Sequence, residues 1–579
     1  MRNGRNSEMS AAPREKRFFT ALFAGMIALH VALLLSSRLY PFTDIPDHLA
    51  AATIIRHTGE PSNRFAQYYR VDMFMKPNTF HVAFSGLAIF PSVEFADRIY
   101  FALYAALLPL SVLVAIRKLG GNPWFAFLSF LLVYNYSVSW GFAGFALAIP
   151  LAIFFCTFFV LDARGVSGSP RIVSAAAALV LLYFVHVLAA LFCLFVLALG
   201  TVVRPGRPTG EPGASSGRDR AESAPRGTGA AALRGGILAA FRGVVLAALP
   251  LVVLIAAWWR SEARGYAGPG VFSFLRGYYG SAFVHTFAGR WAFPIRDNYH
   301  LFNGAPGYAI AALFTLAILT PAAALSFRRH QAPRGTRGAA VLPLCLGAAL
   351  CYVLLPNELP QQAVLYERFS VFVLLALVIY CGARAPVALR RAGVAALVAV
   401  AVLHYALWAN YFFDFNRENA GFDEAFLRPA ASGENLAGLI YDYTYRGRPI
   451  YIHFPSYYIV WEKGPATASV ADYRFGPVRR ASVPGLPRYL EWVGKRDNYD
   501  GRYRDMDYIL MRGTAGGAAE ARSSGTTPAT GATPSAGATE EIPPEAMPGA
   551  EGFLGDFKVA RTSGRWSLYE RTAPLPKND

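Results

Sequence analysis

Of the 579 residues, 54% are hydrophobic and only 16% charged, with a mean hydropathy of +0.32; a soluble domain carries about 25% charge, so an ordinary soluble enzyme is excluded. Lys and Arg number 55 against 37 Asp and Glu, a formal charge of +18. In a chain this apolar the excess is read as orienting helices in a bilayer, and nucleic acid is not expected as a partner.

The basic start, residues 1–17, is expected to be cytoplasmic, and the apolar run from Phe18 to Leu39 is too long for a cleaved signal core. It reads as an uncleaved first crossing. Further runs of membrane-spanning length begin near Asp97, Gly141, Ile237, Ala305, Ala339, Glu367 and Arg391. Two stretches need splitting. Pro123 to Asp162 is twice one crossing and is interrupted by Asn135-Tyr-Ser-Val-Ser-Trp-Gly141, which implies two helices and a short turn. Arg171 to Val203 is long for one helix and has a single ionisable residue, His186, at its middle, which suggests a hairpin. About eleven crossings result, in two groups, residues 18–203 and 237–413. Placed this way, Arg117/Lys118, Arg164/Arg171, Arg328/Arg329 and Arg384/Arg390/Arg391 share one side, as the positive-inside rule requires. Thr79 to Phe90 is too short to cross and is expected to be interfacial or re-entrant, inside a long outer loop, residues 40–97.

Residues 204–236, rich in Gly, Pro, Arg and Ser, are expected to be a disordered cytoplasmic linker. After Phe413 the chain turns polar, and residues 414–579 predict a small extracytoplasmic α/β domain with a low-complexity insertion at 514–552. Pro449 to Phe454, Tyr457 to Trp461, Met506 to Met511 and Trp566 to Glu570 read as strands, and Asn435 to Asp442 as a helix. All five cysteines lie in apolar runs, which argues against a disulfide framework or a cysteine zinc site. The fold expected is an α-helical polytopic membrane protein with a small C-terminal α/β domain, in the cell (inner) membrane.

Chemistry is expected at the outer surface. The first outer loop opens with Pro41-Phe-Thr-Asp44-Ile-Pro-Asp47-His48. Asp44 and Asp47 can be read as a helix cap of capping-box type, or as a carboxylate general base beside an imidazole; fixed capping geometry would suit a base. Arg368, in Leu365-Tyr-Glu367-Arg368-Phe369, can bind phosphate oxygens in pairs, or can snorkel to the interface beside Glu367. His186 is a buried-ionisable candidate unless it is merely a turn residue. Arg290 and Arg296, with His285 and His300, lie among Trp and Tyr and can serve a headgroup belt or a substrate phosphate. No G-x-x-x-x-G-K-[ST], H-E-x-x-H or G-x-S-x-G motif occurs.

A first helix, an outer loop opening on an acidic motif, an interfacial helix, Phe95-Ala-Asp-Arg98 leading into the second crossing, Leu365 to Phe369 and a final outer domain together resemble the type-C fold (GT-C) glycosyltransferase superfamily. The resemblance implies hexosyl or pentosyl transfer from a polyprenyl-phosphate sugar donor to a glycan, lipid or protein acceptor. It places Asp44 or Asp47 as the catalytic acid of the first loop, Asp47 being preferred because His48 adjoins it; the residues' own chemistry and position add His48, His186, Glu367, Arg368, Arg290 and Arg296 as substrate-binding candidates. Family members often carry another acidic residue in the second outer loop, and Asn135 to Phe142 has none. That departure counts against a divalent cation, and no metal ligand is assigned. The competing readings are a transporter or flippase of lipid-linked saccharides, a polymerase of them, or a non-catalytic envelope-assembly protein; no internal repeat of the transporter kind is visible.

Overall fold

The computed structural model describes residues 3–162, 165–203, 228–263, 304–327, 335–359, 362–386, 389–430, 433–471, 476–481, 505–513 and 554–572, together with 276, 279, 290, 297–299, 301–302, 473, 486 and 503. Its long helices are α1 (Asn3–Ser36), α2 (Ile45–His57), α3 (Phe80–Ser85), α4 (Val93–Lys118), α5 (Ala143–Phe155), α6 (Ser169–Val203), α7 (Thr228–Ala263), α8 (Gly304–Phe327), α9 (Gly335–Leu354), α10 (Ser370–Arg384) and α11 (Arg391–Glu418), with a short α12 (Tyr457–Trp461) beyond them. The strands are β1 (Tyr69–Val71), β2 (Leu436–Ile440), β3 (Val478–Arg480), β4 (Tyr508–Arg512), β5 (Phe557–Ser563) and β6 (Trp566–Arg571), beside a two-residue hairpin at Glu358–Leu359 and Gln362–Ala363.

Among the described residues, eight helices are long and apolar enough to cross a membrane. One of them, α6, is two: His186 at its centre has φ −165 and ψ 115, an extended conformation that breaks the helix. Both ends of α6 return to the same place. Arg171 near its start donates to Phe158 O and Gly165 O, and Gly200 near its end packs on Val160. The segment is therefore a helical hairpin with His186 at the tip. Two shorter apolar elements complete the bundle. Gly338–Leu354, most of α9, is a shorter apolar helix. Pro123–Leu132 is a 3₁₀ helix, buried from Trp124 onward. Its rise of about 2.0 Å per residue lets ten residues cover about 20 Å, where an α-helix would cover about 15 Å. Among the described residues the bundle is thus built from the eight long apolar helices, one of them a hairpin, and these two shorter apolar elements.

α4, α5 and α10 are mostly enclosed by other helices, whereas α1, α7, α8 and α11 leave large apolar faces open, with Val253, Leu316 and Phe413 outward. In a bilayer such faces meet lipid at no cost. The basic end of the bundle is tied by Lys118, whose ammonium is 2.9 Å from Asp162, and by Arg171, 3.7 Å from the same carboxylate.

Several boundaries differ from expectation. α1 runs back to Asn3, through the basic start, and α7 begins at Thr228, inside the stretch read as linker; residues 204–227 and 514–553 lie outside the described set. The interfacial helix is only Phe80–Ser85. In the C-terminal domain, Leu436–Ile440 is a strand where a helix was expected, because all five residues are buried and pair in parallel with β4. Tyr457–Trp461 is a helix where a strand was expected, and Pro449–Phe454 is irregular up to a 3₁₀ turn at Phe454–Ser456. The sheet runs β2-β4-β6-β5, with the last two neighbour pairs antiparallel. Its Trp566 packs on Phe422, Phe454 and Tyr451. A second, small sheet joins the two parts of the molecule: β1 of the first long loop pairs antiparallel with β3 of the C-terminal domain.

Candidate functional site

The first long loop docks on the second. Asp44 N donates to Trp140 O at 3.0 Å and Thr43 N to Ser139 O at 3.3 Å. The approach depends on Gly141, which has φ +81 and whose Cβ, were there one, would sit 2.7 Å from Asp44 N. Only glycine takes that conformation freely and leaves that space.

Asp44 stands at the N-cap position of α2, with Pro46 in the first turn, yet its side chain makes no capping hydrogen bond. The capping-box reading of Asp44 and Asp47 is therefore corrected: both carboxylates turn away from their own helix toward the C-terminal domain. Asp44 Oδ1 lies 3.4 Å from His453 Nε2, and Asp47 Oδ2 lies 3.2 Å from His453 Nδ1. Asp47 also accepts hydrogen bonds from the Ser456 and Ser469 hydroxyls, and Ser469 Oγ is 3.1 Å from His453 Nδ1. Burial pushes the Asp47 carboxyl above the usual range, against the pull of His453 and the two hydroxyls. Asp44 is the more open of the two, its side chain 27% exposed against 11%.

His48 turns its ring edge-on to His81, 5.1 Å between centroids, and its burial lowers its pKa to about 4, opposed by a hydrogen bond to the Gly141 backbone. His81 in turn sits 2.6 Å from Asp97, both buried. This pair seats the start of α4 against α3. His48 thus packs into the base of the loop.

Arg368 faces the same end of the bundle from the other side. It is buried and does not snorkel outward: Nε donates to Val364 O at 2.8 Å, and the guanidinium lies 3.8 Å over the Phe142 ring. Val364 holds φ +60, a strained conformation for a β-branched residue. Arg368 Nη1 is 3.2 Å from His186 Nε2. Because Arg can only donate, that nitrogen must accept, which puts the His186 proton on Nδ1. Nδ1 is buried and has no partner among the described residues. The hairpin tip reaches this position because Gly144 lets the Val185 carbonyl within 2.7 Å of where a Cβ would be. Glu367 is buried in the turn preceding α10, its carbonyl accepting from Ser370. Asp44, Glu367, Tyr136 and Tyr473 all lie within electrostatic reach of the Arg368 guanidinium.

Asp44, Asp47, His186 and Arg368 are therefore brought together, linked through Trp140 to Phe142. Arg290 has a different setting: Nη1 donates to Tyr352 O and Val353 O at 3.2 and 2.7 Å, capping the C-terminus of α9, with its guanidinium 4.0 Å over Tyr366. Arg296, His285 and His300 lie outside the described residues. His453, Ser456 and Ser469 escaped the sequence reading; an ionisable residue inside the apolar run Pro449 to Phe454 was the signal that could have found the first. A cavity of about 240 Å³ lies on the Ile45 and Leu49 side of α2, lined also by Arg38, Glu94, Arg98 and Trp461. It contains neither aspartate, and the chemistry is placed by the side chains rather than by that hollow.

Among the described residues no group of three or more His, Cys, Asp or Glu could hold a metal ion.

No protein-family model matches this chain, and no curated protein matches it. Among solved structures it is similar to the crystal structure of ArnT from Cupriavidus metallidurans in the apo state, at 14% identity and a TM-score of 0.42, over 97% of this chain and 100% of that one. The likeness is distant.

Proposed function

We propose that this chain is a membrane glycosyltransferase that moves a sugar from a polyprenyl-phosphate donor to an acceptor hydroxyl at the outer face of the membrane. The observation that carries the reading is an accessible carboxylate, Asp44, within electrostatic reach of a buried guanidinium, Arg368, at one end of the bundle. The two groups answer the two charges of such a reaction. The acceptor oxygen bonds to the anomeric carbon and gives its proton to Asp44, while the bond from that carbon to the phosphate oxygen breaks and its electron pair leaves with the polyprenyl phosphate. Arg368 stabilises the growing charge through paired hydrogen bonds, and His186 Nε2, 3.2 Å from Nη1, helps fix the guanidinium. A single displacement of this kind inverts the anomeric centre.

The base favoured here is Asp44 and not Asp47. Both Asp47 oxygens already accept from hydroxyls, whereas Asp44 is more open and within reach of Arg368. The donor arrives with its sugar activated, which suits a chain without a nucleotide-binding motif.

The test uses the full-length protein in lipid nanodiscs with radiolabelled polyprenyl-phosphate pentoses and hexoses. Release of polyprenyl phosphate with label on an acceptor is expected; label crossing a vesicle membrane without that release would mean transport instead. Asp44→Asn should reduce transfer by roughly 10²- to 10⁴-fold, the usual worth of a positioned base. Arg368→Lys should also fail, since a point charge cannot replace the planar fork stacked on Phe142. Full activity of Asp44→Asn at equal membrane expression would sink the base assignment.

A further inference from the structure

His453 belongs to the C-terminal domain, yet its ring is held between two carboxylates of the first turn of α2. We propose that His453 is a positioning residue for the transfer reaction: it is anchored on Asp47 through Nδ1 and holds Asp44, through Nε2, aimed at the acceptor. The inference rests on the reading of Asp44 as base.

Hydrogen-bond bookkeeping sets the protonation of the ring. The Ser469 hydroxyl donates to Asp47, so toward His453 Nδ1 its oxygen can only accept, and Nδ1 carries a proton. Nε2 faces Asp44 Oδ1 at 3.4 Å, so one proton between these two atoms completes the link and the ring spans both carboxylates. Ser456 fixes the other Asp47 oxygen, so the anchor cannot rotate away. The charged and titratable groups facing the ring are Asp44, Asp47 and, at longer range, the partly buried His48.

Two consequences follow for catalysis. A proton lying between Nε2 and Oδ1 belongs to both groups, so the acid limb of the pH-rate profile belongs to the Asp44–His453 pair and not to either residue alone. The same contact removes rotational freedom from the Asp44 side chain before the acceptor arrives, which is the orientation contribution a base needs. Asp47 serves as the buried end of the relay, which accounts for a carboxylate kept out of water with every oxygen engaged.

The test is a double-mutant cycle with pH profiles, using the same nanodisc transfer assay. His453→Gln, which can still donate to one carboxylate, should lower transfer about 10- to 100-fold at pH 7 and displace the acid limb of the profile. In the Asp44→Asn background the same substitution should cost less than about threefold, because there is no base left to position. A general loss of folding would lower activity at every pH without moving the limb and would multiply with Asp44→Asn; that result overturns the proposal. If Asp44→Asn is inactive while His453→Gln keeps the wild-type profile, the positioning role falls and the base assignment stands. If Asp44→Asn is fully active, the underlying reading falls instead.

Discussion

Asp44 and Asp47 are three residues apart on one helix, and their surroundings differ because the C-terminal domain covers one and leaves the other partly open. Both could be picked out in the sequence, as could Arg368 and His186, because each is an ionisable residue at or inside an apolar run, where charge is costly unless it is used or paired. What the sequence could not convey is the pairing. The partners of Asp47 lie 409 and 422 residues away, and no local spacing encodes them. The same limit applies to Arg290, whose target carbonyls belong to a helix end 62 residues on. His48 provides a prediction at this scale. Its pKa is lowered from 6.5 to about 4 by burial, so between those values the unfolded chain takes up a proton that the folded one refuses. Its contribution to stability is present above about pH 6.5 and is lost as the pH falls toward 4. Asp47, raised by burial, acts in the opposite sense: its contribution is present below its unfolded pKa and is lost as pH rises through its folded value. His48→Gln, which can still donate to the Gly141 backbone, should therefore flatten the fall in melting temperature between pH 6.5 and 4.5. An unchanged slope would show that His48 does not govern it.

The elements were legible where length alone decides. A stretch of thirty-odd apolar residues with one histidine at its centre is too long for one crossing, and the chain turns at that histidine. Where the apolar pattern is continuous on all sides, periodicity says nothing of the helix type. Pro123–Leu132 is apolar throughout and buried nearly so, hence its 3₁₀ winding left no mark in the sequence. Leu436–Ile440 was misread for the same reason, as a strand buried on both faces shows no alternation. The contact between the first and second loops was not legible either, although Gly141 carries it. Gly141→Ala must place a side chain at φ +81 with its Cβ 2.7 Å from Asp44 N, at a cost of about 1–3 kcal/mol. The expected outcome is a protein that inserts normally, melts several degrees lower and transfers sugar poorly, because Asp44 is displaced from its partners. A Gly141→Ala variant with wild-type melting and activity would show that the loop contact is dispensable.

At the scale of the molecule, two of the fastenings between the bundle and the C-terminal domain carry buried charge or strand pairing. One is the aspartate and histidine cluster. The other is the β1 and β3 pairing, reinforced by Lys76, whose buried ammonium lies 3.1 Å from Asp72, 3.4 Å from Glu262 and 3.1 Å from Gly476 O, while Arg479 pairs with the same Glu262. Removing one partner of a buried ion network leaves the others uncompensated, worth about 3 kcal/mol here, near the low end because Asp72 is half exposed and Arg479 remains. Lys76→Met should loosen the C-terminal domain, seen as faster protease release of a fragment beginning after α11, with the helical content of the bundle unchanged. Equal cleavage rates in variant and wild type would mean that the strand pairing suffices.

The long sequence separation between Asp47 and its hydroxyl partners also sets an order of events in biosynthesis. The first loop emerges early, with its acidic residues bare, and the groups that receive them are translated only after every membrane pass is made. Contacts this remote form last and pay the full cost of closing the chain. A polypeptide stalled or truncated before residue 453 would therefore hold its helices and leave Asp44 and Asp47 without their partners.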